Sequence, residues 1–218
     1  MQKEVSKDII EKWLKGWSLS RDLPLPFPYK SGFKVNVNDE KQKARYVFSE
    51  LSEDFFQLAE SIDEPWIFLK VCVGFDNFKD EISEKWELQP QGYMMYCFHQ
   101  MNIPDINLHQ NYKIEFENYN STFVIRIVTK NNEYASIGRV VIVDDLAIYD
   151  RISTENHHKR KGLATFVMKE LEKIVLSKGI SKNFLVATEQ GKSLYESLGW
   201  ELYSLYTSVV IPTEKSKI

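Results

Sequence analysis

Between residues 123 and 211, apolar runs and turn signals follow an order that few folds accommodate. Residues 123–129 and 135–143 have strand length and β-branched content, and they meet at Asn131-Asn132, a tight-turn dipeptide. Residues 146–154 read as a third strand, entered through the turn Asp144-Asp145. A polar stretch, 155–161, leads to Gly162, which opens a helix. Its stripe is Leu163, Phe166, Val167, Leu171, Ile174 and Val175, and Gly179 ends it with Lys178 in the last turn. A short buried strand at 184–187, a helix over about 189–197 that stops before Gly199, and a strand at 202–211 complete the series. The order β-β-β-α-β-α-β specifies an α/β fold with a mixed, mostly antiparallel central sheet flanked by helices.

The first hundred residues carry a weaker pattern. Ser6 is a candidate N-cap for a helix bearing Ile10, Trp13, Leu14 and Trp17. The run Leu23-Pro24-Leu25-Pro26-Phe27-Pro28 forbids a helix and favours extended chain. A short strand follows at 33–37. Residues 39–60 read as helix, with Val47, Phe48, Leu51, Phe55 and Leu58 on one side. The apolar run 66–73 reads as a buried strand, 77–85 as a short amphipathic segment, and 93–98 as another strand. Residues 100–111 are polar, contain Pro104 and divide the chain into an N-terminal α/β region, 1–100, and a second domain, 101–218. Trp86-Glu87-Leu88 recurs as Trp200-Glu201-Leu202 in matching surroundings, so 39–98 reads as a degenerate copy of 162–211. The common reuse of such units in α/β chains is the alternative.

The net charge is −3, too acidic for a broad nucleic-acid-binding face. Cys72 and Cys97 both lie inside apolar runs and read as buried free thiols of a reducing compartment. The N-terminal segment mixes charges of both signs without an apolar core, and no run approaches the ~18 apolar residues of a membrane helix. The expectation is a cytoplasmic protein with neither nucleic-acid nor membrane partners.

The chemistry-bearing segment is His158-Lys159-Arg160-Lys161-Gly162-Leu163-Ala164, between a strand and a helix N-terminus. The first helical N–H groups lack intrahelical partners, and the helix dipole is positive there. Gly162 and Ala164 leave room for an anion, and three adjacent cations deepen the potential. The segment reads as a pyrophosphate cradle, or equally as a solvated basic cap. The Walker and dinucleotide glycine motifs are absent. His157 and His158 have no companions at ligand spacing, so no metal is expected.

Residues 112–211 resemble the GNAT superfamily of CoA-dependent N-acyltransferases. The family signature [Q/R]-x-x-G-x-[G/A] is met by Gly162 and Ala164, with Lys159 in place of Gln or Arg. The resemblance implies that the backbone from Lys159 through Arg160, Lys161, Gly162, Leu163 and Ala164 holds the pyrophosphate of acetyl-CoA, the cosubstrate. It implies that Ile152, Ser153 and Thr154 pair with the pantetheine arm. A second signature, Leu194-Tyr195-Glu196-Ser197-Leu198-Gly199-Trp200, places Tyr195 as the acid that protonates the leaving thiolate. The stretches 186–200 and 13–28 are similar to a two-part group within the family.

Two departures follow from the same comparison. The family's usual base position falls on Ile148, which cannot serve; Asp150, two residues on and on the same face, is the substitute, with a water chain as the alternative. Between Ile114 and Phe123 there is no room for the two helices that help to form the acceptor site in typical members, so the N-terminal half is expected to supply that wall. The implied activity is acetyl transfer to a small-molecule or peptide amine by direct attack. A CoA-binding sensor or adaptor with little activity is the rival. Residues 205–211 are a candidate edge for a homodimer, with Trp200 and Tyr206 alternatively in the core.

Overall fold

In the computed structural model, which describes residues 5–213, Ser6 caps α1 (Lys7–Leu19) by accepting from the backbone N–H of Ile9. Ile10, Trp13, Leu14 and Trp17 form its buried stripe, as the spacing predicts. After the proline run come β1 (Phe27–Tyr29), β2 (Gly32–Asp39) and β3 (Gln42–Phe48), paired antiparallel. The helix expected over 39–60 is therefore corrected. Most of that span is a β-hairpin and its exit, and only α2 (Glu53–Ser61) is helical, capped by Ser52. The hairpin turns without glycine or proline, using Asn38 at φ 57°, a conformation that asparagine tolerates. Apolar residues of two adjacent elements had fallen at helical spacing.

β4 (Ile67–Val71) lies parallel to β3. A single 3-10 turn, Phe75–Asn77, replaces the amphipathic segment expected at 77–85. β5 (Glu87–Leu88) and β6 (Gly92–Cys97) end this half. The second half begins with β7 (Tyr112–Tyr119), then β8 (Thr122–Thr129), β9 (Tyr134–Val143) and β10 (Leu146–Thr154). The meander thus has four strands, not three. β7 carries no apolar run because it is an exposed edge: Phe116 on it is 62% exposed and its neighbours are charged. α3 (Leu163–Ser177), β11 (Lys182–Thr188), α4 (Glu189–Ser197) and β12 (Glu201–Val210) follow.

The strands form one mixed sheet in the order β1-β2-β3-β4-β12-β6-β11-β10-β9-β8-β7, with β5 also on β12. β6, from the first half, sits between β11 and β12, while β12 sits between β6 and β4. Residues 205–211 are consequently interior, which corrects the edge expected there. Alternation along the strands puts α2, α3 and α4 on one face and α1 on the other. α1 packs its stripe on Val141, Leu146, Ile148 and Phe184 of the second half. Cys72 and Cys97 are free and buried. Among the described residues, no helix is long and apolar enough to cross a membrane.

Candidate active site

β10 and β11 run parallel and paired only from Leu146↔Lys182 to Tyr149↔Leu185. Beyond that point they part. β11 continues on β6, with Val186, Ala187 and Thr188 opposite Met94, Tyr93 and Gly92. β10 bulges between Asp150 and Ser153, where Arg151 takes φ 52°, and then rejoins β9 alone. A bulge adds a residue to one strand and bends it away from its neighbour. The β11-facing edge of Ile152, Ser153 and Thr154 is thereby left without a ladder partner. Ser136 Oγ holds the other side, donating to the Ser153 carbonyl at 2.8 Å and meeting Thr154 Oγ1 at 2.8 Å.

The gap opens on a cleft of about 530 Å³. Thr154, Lys159, Arg160, Gly162, Leu163 and Ala164 line it from the β10–α3 side. Lys161, Ile152 and Ser153 do not line it. Arg160 at φ 62° and Gly162 at φ 74° curl the chain just before α3, so the free N–H groups of its first turn face one concavity. The φ of Gly162 favours glycine, and a Cβ there would also push aside the tip of the Ile106 side chain, 2.6 Å away. From α4, Gln190, Ser193 and Leu194 close the far side. These three were not identified from sequence, although their i, i+3, i+4 spacing puts them on one helical face.

Tyr195 follows Leu194 but turns inward. It is 7% exposed, and its ring lies 5.9 Å from that of Trp200. Burial, and secondarily the charge of Asp150, push its phenol well above the usual value. It therefore stays protonated and can donate. Ile148, at the usual base position, is fully buried beneath Gly16 of α1.

Asp150 faces the α1 side of the sheet, but its carboxylate is engaged. Arg21 donates to it twice, from Nε at 3.1 Å and Nη2 at 2.9 Å, and Ser20 Oγ donates to the same group. The Ser20 carbonyl in turn accepts from Tyr119 at 2.6 Å and from Arg139 at 2.6 Å. The end of α1 is thus fastened to β7, β9 and β10. To act as a base Asp150 would have to release Arg21. None of these partners was identified from sequence, because nothing local signals a contact 129 residues away.

The chain and its fold have counterparts among known proteins. The model of the acetyltransferase (GNAT) family matches residues 80–200, more than half of the chain. The chain belongs to the GNAT family. Its fold is similar to a GCN5-related N-acetyltransferase from Kribbella flavida, at 11% identity over 95% of this chain and 96% of that one, with a TM-score of 0.64. A GCN5-related N-acetyltransferase-like protein from Streptococcus suis aligns over 94% and 97% of the two chains, at 11% identity and a TM-score of 0.59. A tandem GNAT protein from the clavulanic acid biosynthesis pathway aligns over 73% and 68%, at 11% identity and a TM-score of 0.53. No curated protein matches the chain significantly.

Proposed function

We propose that this chain is an acetyl-CoA-dependent N-acetyltransferase that acts on a primary amine by direct attack. The observation that carries the reading is the parting of β10 from β11 at Tyr149 and Leu185, which opens a cleft floored by the N-terminus of α3. The residues fit the cosubstrate. Unpaired N–H groups after Gly162 suit a pyrophosphate, and the free strand edge that reaches the cleft at Thr154 suits an amide-bearing arm. Acetyl-CoA supplies an activated acyl carbon on a good leaving group. A bond forms between the amine nitrogen and that carbon as the carbon–sulfur bond breaks. Backbone N–H groups of the bulge would hold the oxyanion, and Tyr195 would give its proton to the departing thiolate. With Asp150 held by Arg21, the ammonium proton leaves through water, and Asp150 positions the end of α1 beside the acceptor.

The buried Ile148 and the engaged Asp150 also favour a second reading, a CoA-binding sensor with little turnover. Calorimetric titration with acetyl-CoA and an amine screen read by free thiol release separate the two. Binding with turnover supports the transferase; binding without turnover for any amine supports the sensor. No binding by folded protein rejects both.

A further inference from the structure

Across the sheet from α2, at the end where β11 leaves β10, lies a second cavity of about 470 Å³. Gln190 lines both this cavity and the cleft described above, so the two adjoin at the first turn of α4. Its floor carries Lys70, Tyr206 and Ser208 from β4 and β12. Lys70 is 8% exposed and donates to Ser208 Oγ at 2.6 Å. Among the described residues, no carboxylate lies within ion-pair distance of it. The Tyr206 hydroxyl, on a residue 5% exposed, is buried without a partner.

The surroundings add positive charge. Arg45 on β3 lies on the same face, its neighbour Val47 pairing with Lys70. It is 7% exposed, stacks on Trp17 at 3.4 Å and leaves Nε unpartnered. Burial pushes its guanidinium down to about 10. Of the cations Arg21, Arg45 and Lys70, only Arg21 has a carboxylate, Asp150. An unpaired buried charge is costly unless something compensates it. At the other end of the cavity, beside Gln190, stands Glu189, which accepts from Tyr93. The cavity thus has an acidic end next to the cleft and a basic, hydroxyl-lined end away from it.

We infer that the acceptor amine carries an acidic group, a carboxylate or a phosphate, bound by Lys70 with Ser208 and Tyr206, while its amino end lies at Glu189 beside the cleft. This rests on the transferase reading and adds the substrate class. Lys70 is a specificity-determining residue in it, and the field of Arg45 favours the same ligand charge.

The test compares matched amines with and without the acid: phenylalanine against phenethylamine, leucine against isopentylamine, phosphoethanolamine against ethanolamine. Wild type, Lys70→Met and Ser208→Ala are assayed for thiol release, with acetyl-CoA affinity measured separately. In wild type, the acidic member of at least one pair should be favoured tenfold or more in kcat/KM. Lys70→Met should raise KM for that member and reduce the preference at least fivefold, with acetyl-CoA affinity as in wild type. Ser208→Ala should shift KM in the same direction by a smaller factor, and it carries the test if Lys70→Met does not fold. Equal or better use of the neutral amines by wild type, or a preference that survives both substitutions, overturns the inference and leaves the transferase reading standing. Failure of folded wild type to bind acetyl-CoA overturns both.

Discussion

Asp150 on β10 and Arg21 just beyond α1 form a two-bonded ion pair that joins the first 25 residues to the bulged strand of the site. The pair is largely shielded, with side chains 13% and 26% exposed, so each partner depends on the other for charge compensation. We predict that Arg21→Ala lowers stability by about 2 kcal/mol, or roughly 4–8 °C in Tm. Arg21→Lys should recover little of this, because an ammonium cannot reproduce the fork. Thermal denaturation of both variants decides it. A wild-type Tm for Arg21→Ala would show the pair to be structurally idle.

Blocking the cleft should separate binding from folding. Ala164 lines it from the first turn of α3, where a leucine is compatible with helix. Ala164→Leu is expected to weaken acetyl-CoA binding at least tenfold at an unchanged Tm. Gly162→Ala is expected to lose stability as well, since it must hold φ 74° and displace Ile106. Titration calorimetry beside thermal melts distinguishes the two patterns.

Removing the Tyr195 hydroxyl should leave the core packed while taking away the acid. For Tyr195→Phe we expect kcat to fall about 10- to 100-fold, with acetyl-CoA affinity retained. The phenol is pushed up by burial, so it remains a donor throughout the accessible alkaline range. The wild-type kcat profile should accordingly show no loss assignable to this group below pH 10. A descending limb near pH 9 that disappears in Tyr195→Phe would contradict the upward push by burial, and an unchanged kcat in Tyr195→Phe would exclude the phenol as the acid.

Lys70 should leave a signature in stability as well as in specificity. Burial, with Arg45 and Arg21 nearby, lowers its folded-state value well below 10.5. In the window between that lowered value and 10.5 the unfolded chain holds more protons than the folded one, so this group's contribution to stability rises with pH. The titratable groups that share its cavity are Tyr206 and, across it, Glu189. Lys70→Met is expected to be more stable than wild type at pH 7 by about 1 kcal/mol, or roughly 2–4 °C. That advantage should shrink toward pH 10. An advantage that is constant with pH would contradict the burial of an uncompensated charge.

The two halves should not separate. A fragment of residues 100–218 lacks β6, leaving β11 and β12 without the strand between them. It is expected to be unfolded or aggregated alone. Co-expression with residues 1–99 should restore a soluble complex. A monomeric, cooperatively melting 100–218 fragment would contradict this.

The clearest features in the sequence were those whose signals are local. The stripe from Leu163 to Val175 lies between two glycines that both adopt positive φ, so α3 was legible end to end. The basic turn and Tyr195 were legible because motif spacing is a local property. The β2–β3 hairpin was not, since its turn uses Asn38 instead of glycine. Asp150 was placed on the correct face, but its engagement with Arg21 depends on tertiary packing. Lys70 did leave a trace, as the one cation inside the apolar run 66–73. A lysine in a buried strand requires a reason, and that reason lies on β12, 138 residues away.

The placement of β6 also sets a timetable for synthesis. Its last residue, Cys97, is made before any part of β11 or β12, the strands that flank it. The seat between them is complete only when Tyr206 has been added, more than 100 residues later. At ~5–20 residues per second this is a wait of roughly 6–20 s with an apolar strand unpaired. β4, finished earlier at Val71, waits longer still for β12. A nascent chain is therefore most vulnerable to aggregation while the residues between β6 and β12 are being made, and the arrival of β12 ends that interval.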